Sequence, residues 1–105
     1  MNKNNSKIKV TKFQEKVYLE CSKIPKGKVT TYNAIAKKLT SSPRAVGQAL
    51  KHNPYAPKIP CHRVINSNRT LGGYNGKADN KKKLLMLKKE GIIIKNNKVD
   101  KKCII

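Results

Sequence analysis

The sequence predicts a mainly α fold with a small β-wing, in a single domain of 105 residues. Three observations carry that expectation. Apolar residues recur at helical spacing through Phe13, Val17, Cys21 and Ile24. The run Thr40-Ser41-Ser42-Pro43 separates two further short helical stretches. The pairs Val64-Ile65 and Thr70-Leu71 flank the turn-forming Asn66-Ser67-Asn68-Arg69, which reads as a β-hairpin.

Taken in order, residues 1–10 read as a basic, frayed arm, 11–99 as the domain and 100–105 as a loose tail. Thr11 is the N-cap of the first helix, and Pro25 and Gly27 end it. Thr31 caps a second helix from about Tyr32 to Leu39. Ser42 caps a third from about Pro43 to Lys51, with proline at the first helical position. A last helix runs from about Asp79 to Glu90, with Leu84, Leu85, Met86 and Leu87 as its apolar side and Gly91 as its C-terminal stop. Ile92 to Val99 around Asn96-Asn97 forms a small terminal hairpin. Two short helices joined by a brief turn in a basic chain suggest a helix-turn-helix, and the hairpin after them supplies the wing.

Charge narrows the partners. Lys and Arg number 25 against 5 acidic residues, a net charge of +20, and only Arg44, Arg63 and Arg69 are arginines. Such a chain seeks a polyanion, with nucleic acid first and an anionic membrane surface second. No apolar run is long enough to span a bilayer, and residues 1–9 lack a signal-peptide core. Three cysteines, Cys21, Cys61 and Cys103, fit neither a disulfide framework nor a zinc site, so a reducing intracellular compartment is expected. Cys21 falls on the apolar face of the first helix, and Cys103 stands third from the end, where it forms no prenylation signal.

Chemistry concentrates in Ile59-Pro60-Cys61-His62-Arg63-Val64. A thiolate is the reactive form of cysteine, and nearby positive charge favours it. An isolated cysteine is more often a small buried hydrophobe. On an extended strand Cys61 and His62 would face opposite ways; in a tight turn a water can bridge them. With 5 acidic residues there is no paired-carboxylate arrangement, and Gly72-Gly73 lacks the rest of a phosphate-binding loop.

Pro60-Cys61-His62-Arg63-Val64, preceded by Arg44-Ala45-Val46-Gly47 and Asn53-Pro54 and followed by Leu71-Gly72-Gly73-Tyr74, resembles the O6-alkylguanine-DNA alkyltransferase family. The upstream Phe13-Gln14, Val17-Tyr18, Ile24-Pro25-Lys26-Gly27-Lys28-Val29-Thr30-Thr31-Tyr32 and Ile35-Ala36 match as well, so the likeness runs from about Phe13 to Gly91. It covers the family's C-terminal DNA-binding and active-site domain. Members usually carry a further N-terminal domain, which this sequence lacks.

The resemblance implies a monomeric protein that repairs duplex DNA, flips out an O6-alkylated guanine and takes the alkyl group onto a cysteine once per molecule. It implies no organic cofactor and no metal. By residue match, Cys61 is the nucleophile and His62 takes its proton through a water. Glu90 orients the histidine and Asn53 braces the active-site loop. Arg44 fills the hole left by the base and Tyr32 crowds the target phosphate. Tyr74, Val64 and Asn75 form the guanine pocket. Thr31, Asn33 and Ser67 meet phosphates, while Ala45 and Gly47 let the third helix approach the minor groove, which carries little sequence information. The sequence departs from the family at Asn75 and Lys77, in a longer stretch from Tyr74 to Glu90, and in a shorter run between the paired helices than some members have. Two other readings stay open: a lesion sensor like the alkyltransferase-like proteins, which flip alkylguanine but lack the cysteine, and a small helix-turn-helix regulator. The location implied is intracellular, in the cytoplasm and nucleoid or in the nucleus.

Overall fold

A computed structural model describes residues 10–56, 58–73 and 80–105. Helix α1 spans Lys12–Ser22, strand β1 Thr30–Thr31, α2 Tyr32–Lys38 and α3 Pro43–Lys51. A 3-10 turn at Cys61–Arg63 leads into β2, Val64–Ile65. Helix α4 spans Lys81–Lys89, β3 is Ile94–Lys95, β4 is Lys98–Val99, and a second 3-10 turn covers Lys101–Cys103. The protein is therefore mainly helical with small sheets.

The helix starts follow from their caps. At α1, Thr11 Oγ1 accepts from the Gln14 backbone N–H at 3.0 Å, and Gln14 Oε1 accepts from the Thr11 N–H at 2.9 Å. This reciprocal pair is worth about 1 kcal/mol. Thr31 caps α2 through the Ala34 N–H and Ser42 caps α3 through the Ala45 N–H, with Pro43 at the first helical position. Helix α4 stops at Gly91, whose φ of +88° suits a residue with no Cβ.

Strand pairing differs from the expected wing. Val64 and Ile65 pair in parallel with Thr30 and Thr31, with α2 and α3 as the crossover. Thr70 and Leu71 form no strand; the segment closes as a turn, through Asn66 N–H to the Thr70 carbonyl and Arg69 N–H to the Asn66 carbonyl. The strand pair separates two cores. Val64 faces a helical cluster with Val17, Cys21, Ile35, Val46 and Leu50. Ile65, on the opposite face of the same strand, joins Val29, Leu71, Leu87, Ile92 and Val99. The terminal hairpin forms as expected, β3 against β4 antiparallel, with Asn96 and Asn97 both at positive φ.

The C-terminal residues are not loose. Ile104 bridges Val29 in parallel, the Val29 N–H donates to the Cys103 carbonyl at 2.8 Å, and the Ile105 N–H donates to the Val29 carbonyl at 2.9 Å. Cys103 is buried in the second core. The free edge of Val29 offers a backbone partner that composition does not reveal.

The apolar side of α4 also differs. Leu85 is 66% exposed, whereas Leu87 and Lys83 are fully buried. Leu84 and Met86 pack partly buried against the two cores as expected, so of the four only Leu85 points away, and Lys83, four residues before Leu87, takes an inward position.

Candidate active site

Pro60 sets the approach to the cysteine. Its φ of −81° and ψ of 67° make an inverse γ-turn, closed by the Cys61 N–H on the Ile59 carbonyl at 2.8 Å. The chain then tightens into the 3-10 turn, so Cys61 and His62 lie in a tight turn and not on a strand. Asn53 spans the preceding loop: Oδ1 accepts from the Tyr55 N–H at 2.9 Å, and Nδ2 donates to the Ile59 carbonyl at 3.0 Å. Its side chain is also placed to favour the Cys61 thiolate. Tyr55 packs edge-on against Tyr18, whose hydroxyl donates to the Ala49 carbonyl, so the loop is held on α1 and α3.

Electrostatics at Cys61 run against the simplest expectation from sequence. Burial pushes the thiol pKa up, and this outweighs the lowering by Asn53 and Lys83. The resting group is therefore a thiol that needs a base. His62 is buried beside it, and burial holds its imidazole below the ordinary value despite the Glu90 carboxylate. A neutral imidazole is the form that accepts a proton. His62 Nε2 lies 3.0 Å from Glu90 Oε2, so Nε2 carries the hydrogen and Nδ1 is the basic nitrogen. Burial raises the Glu90 carboxyl, but bonds from Arg63 and His62 overcome it and keep the group ionised.

Two residues that sequence reasoning left without a role complete the site. Arg63 grips Glu90 through Nε to Oε1 at 2.9 Å and through a terminal nitrogen to Oε2 at 2.7 Å. Lys83 sends its ammonium to the carbonyls of Val64 at 2.7 Å, Leu71 and Gly73, with the Tyr32 hydroxyl 3.4 Å away. Burial lowers its pKa to about 8. Tyr32 is half-buried with its hydroxyl turned towards Lys83 and Gly72, and burial pushes it up to about 12. A Cβ on Gly72 would stand 3.4 Å from that hydroxyl and at a φ of +74°, so only glycine fits without strain.

The remaining sequence candidates divide by position. Val64 is buried, and its carbonyl helps to hold Lys83. Arg44 is exposed in the first turn of α3, with Ala45 and Gly47 part-exposed on the same helix. A Cβ at Gly47 would meet no described atom within 4 Å, so helix packing does not demand this glycine. Thr31 is occupied by its cap, Asn33 is half-buried, and Ser67 is exposed on the turn after β2. Tyr74 and Asn75 lie outside the described residues. Among the described residues no group of three or more His, Cys, Asp or Glu could hold a metal. No helix among them is long and apolar enough to cross a membrane.

A buried cysteine, a histidine held on a glutamate and an arginine gripping that glutamate thus meet at one turn of a mainly helical, strongly basic domain. Residues 12–92 match the family model described as the DNA binding domain of 6-O-methylguanine DNA methyltransferase. The chain belongs to that family. It is 48% identical over 94 residues to the methylated-DNA--protein-cysteine methyltransferase of Methanocaldococcus jannaschii, covering 89% of this chain and 56% of that one. The Thermococcus sibiricus methylated-DNA--protein-cysteine methyltransferase is 47% identical, with 78% and 46% covered. The chain thus spans about half the length of these curated relatives. Among solved structures, the O6-methylguanine-DNA methyltransferase of Pyrococcus kodakaraensis superposes with a TM-score of 0.71 at 42% identity, covering 79% of this chain and 48% of that one. Schizosaccharomyces pombe Atl1, solved with damaged DNA containing O6-carboxymethylguanine, gives 0.72 at 37% identity, with 84% and 83% covered.

Proposed function

We propose that this protein repairs duplex DNA by moving the alkyl group of an O6-alkylguanine onto Cys61, once per molecule, after the base is turned out of the helix. The observation that carries this reading is the Cys61 turn with His62 held on Glu90 at 3.0 Å. His62 takes the thiol proton through a water, and the sulfur attacks the alkyl carbon. The S–C bond forms as the C–O6 bond breaks, and the electron pair returns to the guanine ring, which regains a proton. The product thioether has no good leaving group, so water does not regenerate the thiol. Turning the base out costs a few kcal/mol, less for a weakly paired lesion.

In this reading α2 and α3 act as a helix-turn-helix, with the turn after β2 as a short wing. Arg44 enters the stack where the base left, and Tyr32 crowds the target phosphate from the pocket side. Thr31, Asn33 and Ser67 meet phosphates. Gly47, free of any packing demand, and Ala45 permit close approach to the minor groove. Val64, Tyr74 and Asn75 line the guanine pocket. The lysine excess supplies salt-sensitive phosphate affinity. The protein acts as a monomer inside the cell.

The test is an intact mass after incubation with a duplex carrying O6-methylguanine. A gain of one methyl group on Cys61, absent in Cys61→Ala, is expected. Tight lesion binding without a mass change replaces this reading with the sensor; sequence-dependent binding to undamaged DNA replaces it with the regulator.

A further inference from the structure

Arg63 follows His62 in the 3-10 turn, where successive side chains diverge by about a third of a turn. Both nevertheless end on the same carboxylate, Glu90, at the C-terminal end of α4. Arg63 occupies both oxygens of Glu90 in a fork, and its remaining terminal nitrogen donates to the Ile24 carbonyl at 2.9 Å. His62 shares Oε2 with it. The carboxylate would otherwise hang on one rotatable side chain, at a helix end whose dipole disfavours negative charge. The fork fixes its position and engages its charge with the guanidinium, leaving Oε2 shared with the His62 N–H.

We propose that Arg63 is a positioning residue for the transfer reaction: it clamps Glu90 to the turn after α1, at the Ile24 carbonyl, and limits how strongly that carboxylate can hold a proton on His62. The inference rests on the alkyl-transfer reading above. Its consequence is a base that accepts the Cys61 proton and gives it up again. A lone, fully available glutamate would hold the proton on His62 more firmly and reduce the share of neutral imidazole.

The groups that face His62 are Glu90 from α4, Arg63 and Cys61 from its own turn, and Lys83 from α4. Lys26 and Lys89 line the same depression of about 580 Å³. Loss of Arg63 acts on His62 in one direction by two routes. It removes a repelling cation, and it frees Glu90 for His62 alone.

The experiment is a ¹⁵N NMR titration of the imidazoles in the full chain, for wild type and Arg63→Met. The sequence has 2 histidines, so the His62 signal is assigned by comparison with a His52→Gln chain. The midpoint of His62 is expected to rise by about 1 pH unit, the low end of what a nearby charge produces. The acid limb of the transfer rate moves up with it. An unchanged or lowered His62 midpoint in the folded variant overturns the proposal. Should Arg63→Met fail to fold, Arg63→Gln, neutral but still able to reach Glu90, must show a rise in the same direction through loss of the repelling cation. If wild type takes up no alkyl group, the functional reading fails while the His62 titration still decides the role of Arg63.

Discussion

Replacing Lys83 by methionine separates what a buried cation costs from what it holds together. Lys83 is fully buried, and its pKa falls from 10.5 to about 8. At 1.36 kcal/mol per pH unit, the charged form costs the native state roughly 3 kcal/mol relative to the unfolded chain. Against this stand the carbonyls of Val64, Leu71 and Gly73, each worth about 1–3 kcal/mol if left unpaired. At pH 7 the two effects offset, and Lys83→Met changes stability by only a few kcal/mol. The pH dependence does not cancel. Between pH 8 and 10.5 the unfolded chain binds a proton on Lys83 that the native state has lost, so the contribution of Lys83 to stability rises with pH. Cys21 and Tyr32, both raised to about 12, pull the other way as pH climbs past their ordinary values. The difference between wild type and Lys83→Met isolates the lysine. Urea unfolding at pH 7, 8, 9 and 10 should show that difference moving in favour of wild type by roughly 2–3 kcal/mol. A flat difference, or one that favours the variant as pH rises, would refute the buried ammonium.

Arg44→Ala should slow transfer from a duplex at least about tenfold, or about 1.4 kcal/mol, and leave transfer from the free O6-alkylguanine base nearly unchanged. Equal slowing on both substrates rules out a role in holding the opened stack. Removal of residues 101–105 should cost about 2–4 kcal/mol in urea unfolding, because it takes away the buried Cys103 and two backbone hydrogen bonds to Val29. An unchanged midpoint would show that the C-terminal latch adds nothing.

Local signals were the legible part of the sequence. Thr11, Thr31 and Ser42 are helix caps where side-chain chemistry places them, and Pro43 to Lys51 is the third helix to the residue. At the site, His62 lies 3.0 Å from Glu90 and Asn53 bonds the Ile59 carbonyl just before Cys61. Non-local pairing was hidden. Strands of two residues carry no alternation, so nothing in Val64-Ile65 says that its partner is Thr30-Thr31 and not Thr70-Leu71. The latch of Ile104 on Val29 was masked by the lysines around it. Lys83 was concealed in the same way, as the third lysine of a basic run; its spacing of four from Leu87 and seven from Glu90 is the signal that separates it from its neighbours. Arg63 stood beside the nucleophile, but only the fold brings Glu90 across to it.

The central claim is tested most directly by following the carbon itself. A duplex carrying O6-methylguanine with an isotopically labelled methyl group is mixed with an equal amount of protein, and the label is traced to its final bond. Transfer predicts one label per protein molecule, in the peptide containing Cys61, with unmodified guanine left in the DNA and no label released to solvent. Label that stays on the bound duplex, or appears in solution as methanol, contradicts transfer to Cys61.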